Sequence, residues 1–346
     1  MKKWVSLFLC LLLFGGMVCA QAQGIVNVYN WEDYIDQFVL ERFEEETGIK
    51  VNYLNFTSNE DMLVQVRANP EAFDVVFPAD YAVERLIAED RLEPLNFDNI
   101  PSAKANTVDW LQNPSYDKEG KYSVPYMWAT LGLLYNKDKV TAEPNSWSVL
   151  WDIQYKDNIF MYDSIRPVMG IGLKAAGYSM NSTNPLELEA AKAKLIEQKQ
   201  LGVVRAYQLD ETKDKMIANE VAIAVIWSGD AQYAISHNDR LAYAVPSEGS
   251  AIGVDSMVIP KGARNKENAE KFIEFMCRPD IAQINSEAIG YPSANAKAIA
   301  LMGSAYSDNP VMNPSKETIQ NLEFFVDIQN FIDLYNAIWL EVKNAK

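Results

Sequence analysis

The sequence predicts an α/β protein of two lobes, each a mostly parallel sheet flanked by helices, with a cleft between the lobes. Short β-like runs alternate with amphipathic helices along the early part of the chain, and this alternation is typical of parallel sheets covered on both faces. The length of 346 residues exceeds what one hydrophobic core usually holds. No flexible linker separates two halves, so we expect the chain to cross between the lobes more than once.

The early part of the chain repeats a strand–helix unit. A first strand is predicted at 25–29, and a helix follows at 38–47 with Gly48 as its stop. Ser58 is a candidate N-cap for the next helix. Further strands are predicted at 51–56, 73–77, 131–135, 159–162, 221–227, 242–245 and 256–259. Further helices are predicted at 60–68, 81–88, 187–199, 265–277, 279–288 and 333–343.

The expected crossings between the lobes lie near 126–134 and near 249–254. Each lobe is therefore discontinuous in sequence. The predicted ranges are 23–128 plus 254–299 for the N-terminal lobe and 129–253 plus 300–346 for the C-terminal lobe.

The leader at 1–22 has the pattern of a secretory signal peptide. A basic start, MKK, precedes an almost unbroken apolar run at 4–18, which is short for a transmembrane span, and small residues that permit cleavage follow. Cys19 offers an alternative, because a lipoprotein signal is cut before a cysteine that is then acylated, although the preceding GMV matches that signal poorly. In both cases we expect an exported, soluble mature chain.

Without the two lysines of the leader, 29 basic and 47 acidic residues remain, a net charge of −18. Such a chain repels nucleic acid and attracts cations, although acidic surfaces also serve solubility. Cys277 is then the remaining thiol, and its apolar surroundings, FIEFMCRP, predict a buried, inert side chain. No disulfide framework is expected.

Motifs for catalysis and cofactors are missing from the sequence. His237, the single histidine, lies in a polar, turn-like segment that predicts a surface position. The nucleophile elbow Gly-x-Ser-x-Gly, zinc-binding Cys/His clusters and calcium-loop spacings do not occur. Gly170, Gly172 and Gly177 miss the spacing of phosphate loops and are interpreted as turn and helix-packing residues. We therefore expect no cofactor and no metal.

Four predicted strand ends carry an aromatic residue and an acid within three positions. They read WEDY at 31–34, PADY at 78–81, YDS at 162–164 and WSGD at 227–230. Asp255, at a crossing, and Tyr291, in the turn-like GYPSAN, extend the pattern. Ligands of open α/β sheets bind at the carboxyl ends of strands. One such aromatic is an ordinary packing anchor, but four together favour a ligand site.

A linear polyamine fits this combination of side chains. An ammonium donates three hydrogen bonds and accepts none, so carboxylates are its natural partners. Aromatic faces attract a cation, by roughly 1–2 kcal/mol when it is desolvated, and they also pack its methylenes. Other readings stay open on the pattern alone. A sugar site also combines tryptophan with acids, a ferric site prefers adjacent tyrosines, a hydrolase uses paired carboxylates, and an adhesion protein could keep a vestigial cleft.

Many separated segments resemble the periplasmic spermidine/putrescine-binding proteins of bacterial ABC importers. From about residue 25 to the C-terminal helix, the segments that match in order and spacing are YNWEDYI, TGIKVNY, SNEDM, FDVVFPADY, VPYMWAT, VIWSGDA, VDSMVIP, RPD and IGYPSAN. The resemblance implies a two-lobed periplasmic-binding-protein fold that closes on its ligand by a hinge motion. It also implies a non-enzymatic protein of the periplasm that binds putrescine or spermidine and serves an inner-membrane permease and ATPase complex. We expect a monomer, because nothing in the sequence indicates an oligomer interface.

The resemblance extends to individual side chains. Six residues fall on ligand positions of the family and keep the expected type: Trp31, Tyr34, Tyr81, Trp227, Asp255 and Tyr291. In the family the counterpart of Asp255 holds an amine and the aromatics line the slot. Asp33 and Asp230 resemble the putrescine-preferring branch, in which Asp230 could hold the second amine. Glu32 and Asp80 are further candidates.

Other positions depart from the family pattern. Pro167 stands at the usual glutamate, and Ser164 stands at an aspartate, which leaves Asp163 as a candidate substitute. Gly253 replaces an aromatic residue, and Phe325 replaces a glutamine of spermidine binders. The loss of these distal polar contacts, together with the acid shared with the putrescine branch, predicts that putrescine binds at least as well as spermidine.

Overall fold

The computed structural model describes residues 24–345, so the predicted signal peptide at 1–22 and its Cys19 lie outside the described residues. The strands are β1 Ile25–Trp31, β2 Lys50–Phe56, β3 Val75–Val76, β4 Ser123–Asn136, β5 Ile159–Tyr162, β6 Val204–Gln208, β7 Ile223–Trp227, β8 Leu241–Ala244, β9 Ser250–Val258 and β10 Leu322–Phe324. The helices are α1 Gln37–Thr47, α2 Asn59–Ala68, α3 Asp80–Ala88, α4 Pro101–Asn106, α5 Ile165–Ala175, α6 Pro185–Gln200, α7 Thr212–Ile217, α8 Ser228–His237, α9 Lys266–Met276, α10 Pro279–Ile289, α11 Ala296–Met302, α12 Ser304–Ser307, α13 Lys316–Gln320 and α14 Ile332–Asn344. Short 3-10 helices occupy Pro70–Ala72, Asp109–Leu111, Ser115–Asp117, Trp147–Trp151, Ile153–Tyr155 and Gln329–Phe331.

The described strands form one curled sheet in the order β2-β1-β3-β9-β4-β7-β5-β6. At one end β1 runs parallel to β2 and β3, and at the other end β5 runs parallel to β6 and β7. The antiparallel strands β9 and β4 join these two parallel units, while β10 pairs with β9 and β8 with β4. The predicted α/β fold with two mostly parallel units is confirmed.

Strands β4 and β9 pass through both lobes. The first part of β4, up to Thr130, pairs with β9, and its second part, from Leu131, pairs with β7. Strand β9 reaches β3 through Val258 and β10 through Ser250. Both expected crossing segments therefore lie on these long strands. The exact lobe boundaries stay a prediction, since the sheet continues without interruption.

Capping residues bound the first two helices, and two of them, Gly48 and Ser58, were predicted from the sequence. The Asp36 side chain accepts a hydrogen bond from the Phe38 amide at 2.9 Å, and Gly48 caps the other end of α1. The Ser58 hydroxyl accepts from the Asp61 amide at 3.1 Å at the start of α2. Such an N-cap contributes about 1 kcal/mol to helix stability. Local side-chain chemistry thus sets where these elements begin.

Helix α5 was missed by the sequence pattern. Pro167 lies in its first turn, where the absent N–H is not needed. Gly170 and Gly172 lie inside it because Met180 and Leu195 pack closely: a Cβ on these glycines would meet their side chains at 2.7 and 3.0 Å. The helix-packing interpretation of these two residues is confirmed, but the helix containing them carries few of the residues that favour helices.

Two other local expectations have clear outcomes. His237 is exposed, as predicted, but it is the last residue of α8 rather than part of a turn. Cys277 is a free, buried thiol in the core between α1, α9 and α10, and burial raises its pKa far above the usual range. No helix within residues 24–345 has the length and apolar character needed to cross a membrane.

Candidate functional site

A cleft of about 260 Å³ lies between the lobes, where strand ends from both meet β9. All eight residues predicted with the most support line it: Trp31, Asp33, Tyr34, Tyr81, Trp227, Asp230, Asp255 and Tyr291. Three of the secondary candidates, Glu32, Asp80 and Phe325, line it as well. The structure therefore brings together side chains that are separated by up to about three hundred positions in the sequence.

Asp255, in β9, is held by two aromatic donors, Trp31 at the end of β1 and Tyr34 in the loop that follows. Its Oδ2 accepts from the Tyr34 hydroxyl at 2.8 Å, and its Oδ1 accepts from the Trp31 indole at 3.2 Å. Burial raises the pKa of Asp255 to about 7, although both hydrogen bonds favour the charged form. No lysine or arginine within the described chain forms an ion pair with this carboxyl. The carboxylate is thus oriented and lacks a counter-cation.

Asp230 is a second acid of the cleft, and the nearby Lys213 only partly neutralises its charge. It lies in the first turn of α8, directly after β7. Burial raises its pKa to about 6; Lys213 and the Tyr291 hydroxyl favour the carboxylate, while Asp210 and Asp33 oppose it. The cleft therefore offers two partly desolvated carboxylates. Burial is the main cause of the raised pKa of Tyr291, and both carboxylates raise it further.

Asp80 faces the cleft in a different electrostatic state. It is 1% exposed, its Oδ1 accepts from the Tyr81 amide at 2.7 Å, and its Oδ2 has no hydrogen-bond partner among residues 24–345. Burial holds its pKa well above the usual range, and Asp255 raises it further. This acid is suited to donating a hydrogen bond as a neutral carboxyl.

Aromatic rings form the walls between these acids. Trp31 packs on Phe56 at 4.5 Å between ring centroids, and Tyr34 packs edge-on against Tyr291 at 4.8 Å. Trp227 fills the space above Gly253, where a Cβ would lie 3.1 Å from its ring. This tryptophan therefore covers the position at which the resemblance leads us to expect another aromatic side chain.

Tyr291 reaches across the lobes onto Gly229. A Cβ at Gly229 would lie 2.0 Å from the tyrosine ring, so only glycine permits this contact. The contact places the Tyr291 hydroxyl near Asp230. An aromatic residue of one lobe thus closes over the helix start of the other.

An ion pair also joins the two sides of the cleft. Asp33, in the loop after β1, accepts from Nζ of Lys213 at 3.1 Å, and Asp210 accepts from the same nitrogen at 2.8 Å. The Asp33 backbone has a φ of 51°, a conformation that aspartate tolerates better than most residues. Lys213 and Asp210 were not identified from the sequence, because β6 was not predicted as a strand. Tyr207 and Asp210 at its end have the same aromatic–acid spacing as the predicted strand ends.

Arg166 is a second cation that sequence reasoning missed. It lines the cleft at 1% exposure, with its Cζ 4.8 Å from the Phe325 ring centre and 6.0 Å from that of Tyr81. Its Nη2 donates to Asn181 at 2.6 Å, while Nε and Nη1 lack partners in the described part of the chain. This part of the cleft is apolar and cationic, in contrast to the surroundings of Asp255.

Asp163 is not in the cleft, which corrects its candidacy as a substitute acid. Its carboxylate pairs with Lys343 of α14 at 2.5 Å, whereas Tyr162 and Ser164 line the cleft. Successive side chains of an extended chain point to opposite sides. The acid therefore faces away from its two neighbours.

Metal-binding side chains do not cluster within the described residues. No group of three or more His, Cys, Asp or Glu side chains between residues 24 and 345 is arranged to hold a metal ion. The ring of His237 instead bonds to the Tyr233 carbonyl and the Ser236 hydroxyl on the surface.

Known proteins resemble this chain in sequence and fold. Residues 39–314 match the family described as bacterial extracellular solute-binding protein. The chain is 33% identical to the spermidine/putrescine-binding periplasmic protein of Escherichia coli (strain K12), and 29% identical to the putrescine-binding periplasmic protein SpuD of Pseudomonas aeruginosa, over 100% of each chain in both cases. A solved structure assigned to a spermidine/putrescine ABC transporter of Listeria monocytogenes has a TM-score of 0.89 at 38% identity, covering 93% of this chain and 99% of that chain.

Proposed function

We propose that this chain, which belongs to the family of bacterial extracellular solute-binding proteins, captures polyamines in the periplasm and delivers them to an ABC permease. The observation that carries the proposal is Asp255, an oriented carboxylate among aromatic rings without a cationic partner in the described residues. Relatives named for spermidine and putrescine binding support the same ligand class.

In the proposed binding mode, Asp255 holds one ammonium of the ligand. Trp31 and Tyr34 orient the carboxylate, and their rings contact the adjoining methylenes. Asp230 holds the second ammonium, while Tyr291 and Trp227 enclose the alkyl chain. Charge-assisted hydrogen bonds are stronger than neutral ones, so the two acids fix the ends of a diamine and the rings fill its length.

A third ammonium finds less support in this cleft. The surroundings of Arg166 present a cation and the apolar ring of Phe325 where a longer polyamine would need another acid. We infer that putrescine binds at least as well as spermidine. A sugar is disfavoured because its neutral hydroxyl groups would leave Asp255 without a counter-charge and Asp230 only partly neutralised by Lys213.

The proposal includes partners and domain motion. A permease and an ATPase in the inner membrane receive the loaded protein. The protein itself acts as a monomer, and it binds its ligand without catalysing a reaction. The lobes at 23–128 plus 254–299 and at 129–253 plus 300–346 close around the ligand, and the crossing strands β4 and β9 form the hinge.

Calorimetric titration of ligand-stripped protein tests this function. Putrescine, spermidine and cadaverine are titrated in parallel, with glucose as a neutral control. We expect saturable binding of the amines, with putrescine at least as tight as spermidine, and no heat of binding from glucose. Saturable sugar binding without amine binding would reject the proposal, whereas a strong preference for spermidine would reject only the diamine selectivity.

A further inference from the structure

Lys213 is a buried cation beside the acids of the cleft. It lies in α7, and its side chain is 9% exposed. Its ammonium bonds to Asp210 and Asp33, at 2.8 and 3.1 Å. Lysine is almost never this buried unless it is paired. The two acids thus account for the position of the charge.

Three carboxylates act on this ammonium, and two of them, Asp210 and Asp33, are in direct contact with it. Burial disfavours its charged form, but Asp230, Asp210 and Asp33 more than offset that effect and raise the pKa of Lys213 above its usual value. All three acids line the cleft, whereas Lys213 does not. The ligand space is therefore separated from this positive charge only by the acids around it.

This resident charge limits how many ligand amines the cleft can accept. The oxygen atoms of Asp33 and Asp210 that bind Lys213 are already neutralised. Asp255 has no cationic partner among the described residues, and Asp230 does not contact Lys213 directly, so of these four aspartates these two remain for the ligand. An additional ammonium beyond Asp230 would meet Lys213 as a like charge.

We propose that Lys213 is a specificity-determining residue, a resident cation that makes the cleft favour a diamine over a triamine. The inference rests on the proposed function. A merely structural role, in which the Lys213–Asp33 pair holds the lobes together, changes the affinity for both ligands by the same factor. The ratio of the two dissociation constants separates the two roles.

The test compares putrescine and spermidine by calorimetry on the ligand-stripped full chain. Lys213→Met removes the charge and keeps most of the side-chain volume, and we expect the spermidine-to-putrescine ratio of Kd to fall by roughly tenfold. Lys213→Arg keeps the charge and is expected to keep the wild-type ratio. Lys215→Met, in the same helix, is the matched control, since its Nζ lies over the ring of Phe160.

Asp210→Asn supplies a second, opposite perturbation if Lys213→Met does not fold. It leaves the ammonium of Lys213 less neutralised, so the same ratio should rise. If Lys213→Met folds and its spermidine-to-putrescine ratio of Kd is unchanged, the inference is overturned. If only Asp210→Asn folds, an unchanged ratio in that variant overturns it. Wild-type protein that binds neither amine contradicts the proposed function, and the inference falls with it. Wild-type binding with unaltered selectivity in the variants contradicts the role of Lys213 alone.

Discussion

Tyr34 and Asp255 are 221 positions apart in sequence, yet the tyrosine hydroxyl donates a 2.8 Å hydrogen bond to the carboxylate. Trp31, the last residue of β1, donates to the other oxygen at 3.2 Å. The end of the first strand and the loop after it therefore orient the acid on the crossing strand. Because both donors favour the carboxylate while burial opposes it, the acid is prepared for a cation that the described residues do not supply.

Replacement of Asp255 by asparagine is expected to weaken putrescine binding by about a hundredfold, which corresponds to about 2.7 kcal/mol. The change keeps the shape of the side chain and removes the charge that pairs with an ammonium. Calorimetric titration measures the loss. His237→Ala is the control and should leave affinity unchanged, because that side chain is exposed outside the cleft. Binding by Asp255→Asn within threefold of wild type would show that this acid does not hold an amine.

Affinity for polyamines is expected to rise as pH increases from 5 to 8. Only the carboxylate forms attract an ammonium, and the pKa values of Asp230 and Asp255 are raised to about 6 and about 7 in the ligand-free protein. Titrations at several pH values measure the trend. Asp255→Asn should flatten its upper part, near pH 7. A wild-type affinity that is constant across this range would contradict the expected ionisation.

The contribution of Asp255 to folding stability should fall as pH increases, whereas the affinity for polyamines rises. A carboxyl whose folded pKa is raised contributes stability below its unfolded value, and that contribution is lost as pH rises through the folded value. The Asp255 contribution is therefore lost between about pH 4 and pH 7. Thermal unfolding of wild type and of Asp255→Asn at several pH values isolates the contribution of this carboxyl. The variant should lose less stability than wild type as pH rises. An equal pH slope in the two proteins would speak against a raised pKa.

Tyr34→Phe is expected to weaken putrescine binding by roughly tenfold, since a hydrogen bond to a charged group contributes about 1.5–3 kcal/mol. The variant keeps the ring that packs on Tyr291 and removes the donor to Asp255. Titration gives the affinity, and Tyr178→Phe, at an exposed tyrosine, serves as the control. Wild-type affinity in Tyr34→Phe would mean that this hydrogen bond does not orient the binding acid.

Gly229→Ala is expected to reduce affinity by roughly tenfold or more, because its Cβ would lie 2.0 Å from the ring of Tyr291 and would displace it. The double variant Gly229→Ala/Tyr291→Ala tests the cause. If the clash is responsible, the alanine at 229 costs little affinity once the tyrosine is absent. A full additional loss in the double variant would place the effect elsewhere in α8.

Cys277 is expected to resist thiol reagents in the native protein. It is 7% exposed, and burial raises its pKa, so little reactive thiolate is present at neutral pH. Reaction with a chromogenic disulfide should be slow until denaturant unfolds the chain. Rapid native-state labelling would indicate that this core opens readily.

The sequence predicted much of the fold and site from local patterns. Strand–helix alternation and the predicted caps at Gly48 and Ser58 are local, and the aromatic–acid pairs at strand ends lie where a parallel sheet collects ligand residues. Asp163 was wrong as a cleft residue, since a strand end presents alternate residues to opposite sides and the pattern alone does not tell which side is the cleft. Lys213, in a polar segment, and Arg166, in the apolar helix α5, were missed because an isolated cation has no distinguishing local pattern.

The sequence by itself therefore determined the α/β class and most of the aromatic and acidic residues that meet in the cleft, because these depend on hydrophobic periodicity and on chemistry repeated at strand ends. Only the tertiary structure decided the charge state and pairing of each side chain. Asp255 and Asp33 are both acids of the predicted site, yet one lacks a cationic partner in the described chain and the other is bound to Lys213. Electrostatic interactions depend on distance and burial in space, and two residues 180 positions apart acquire them only when the lobes come together.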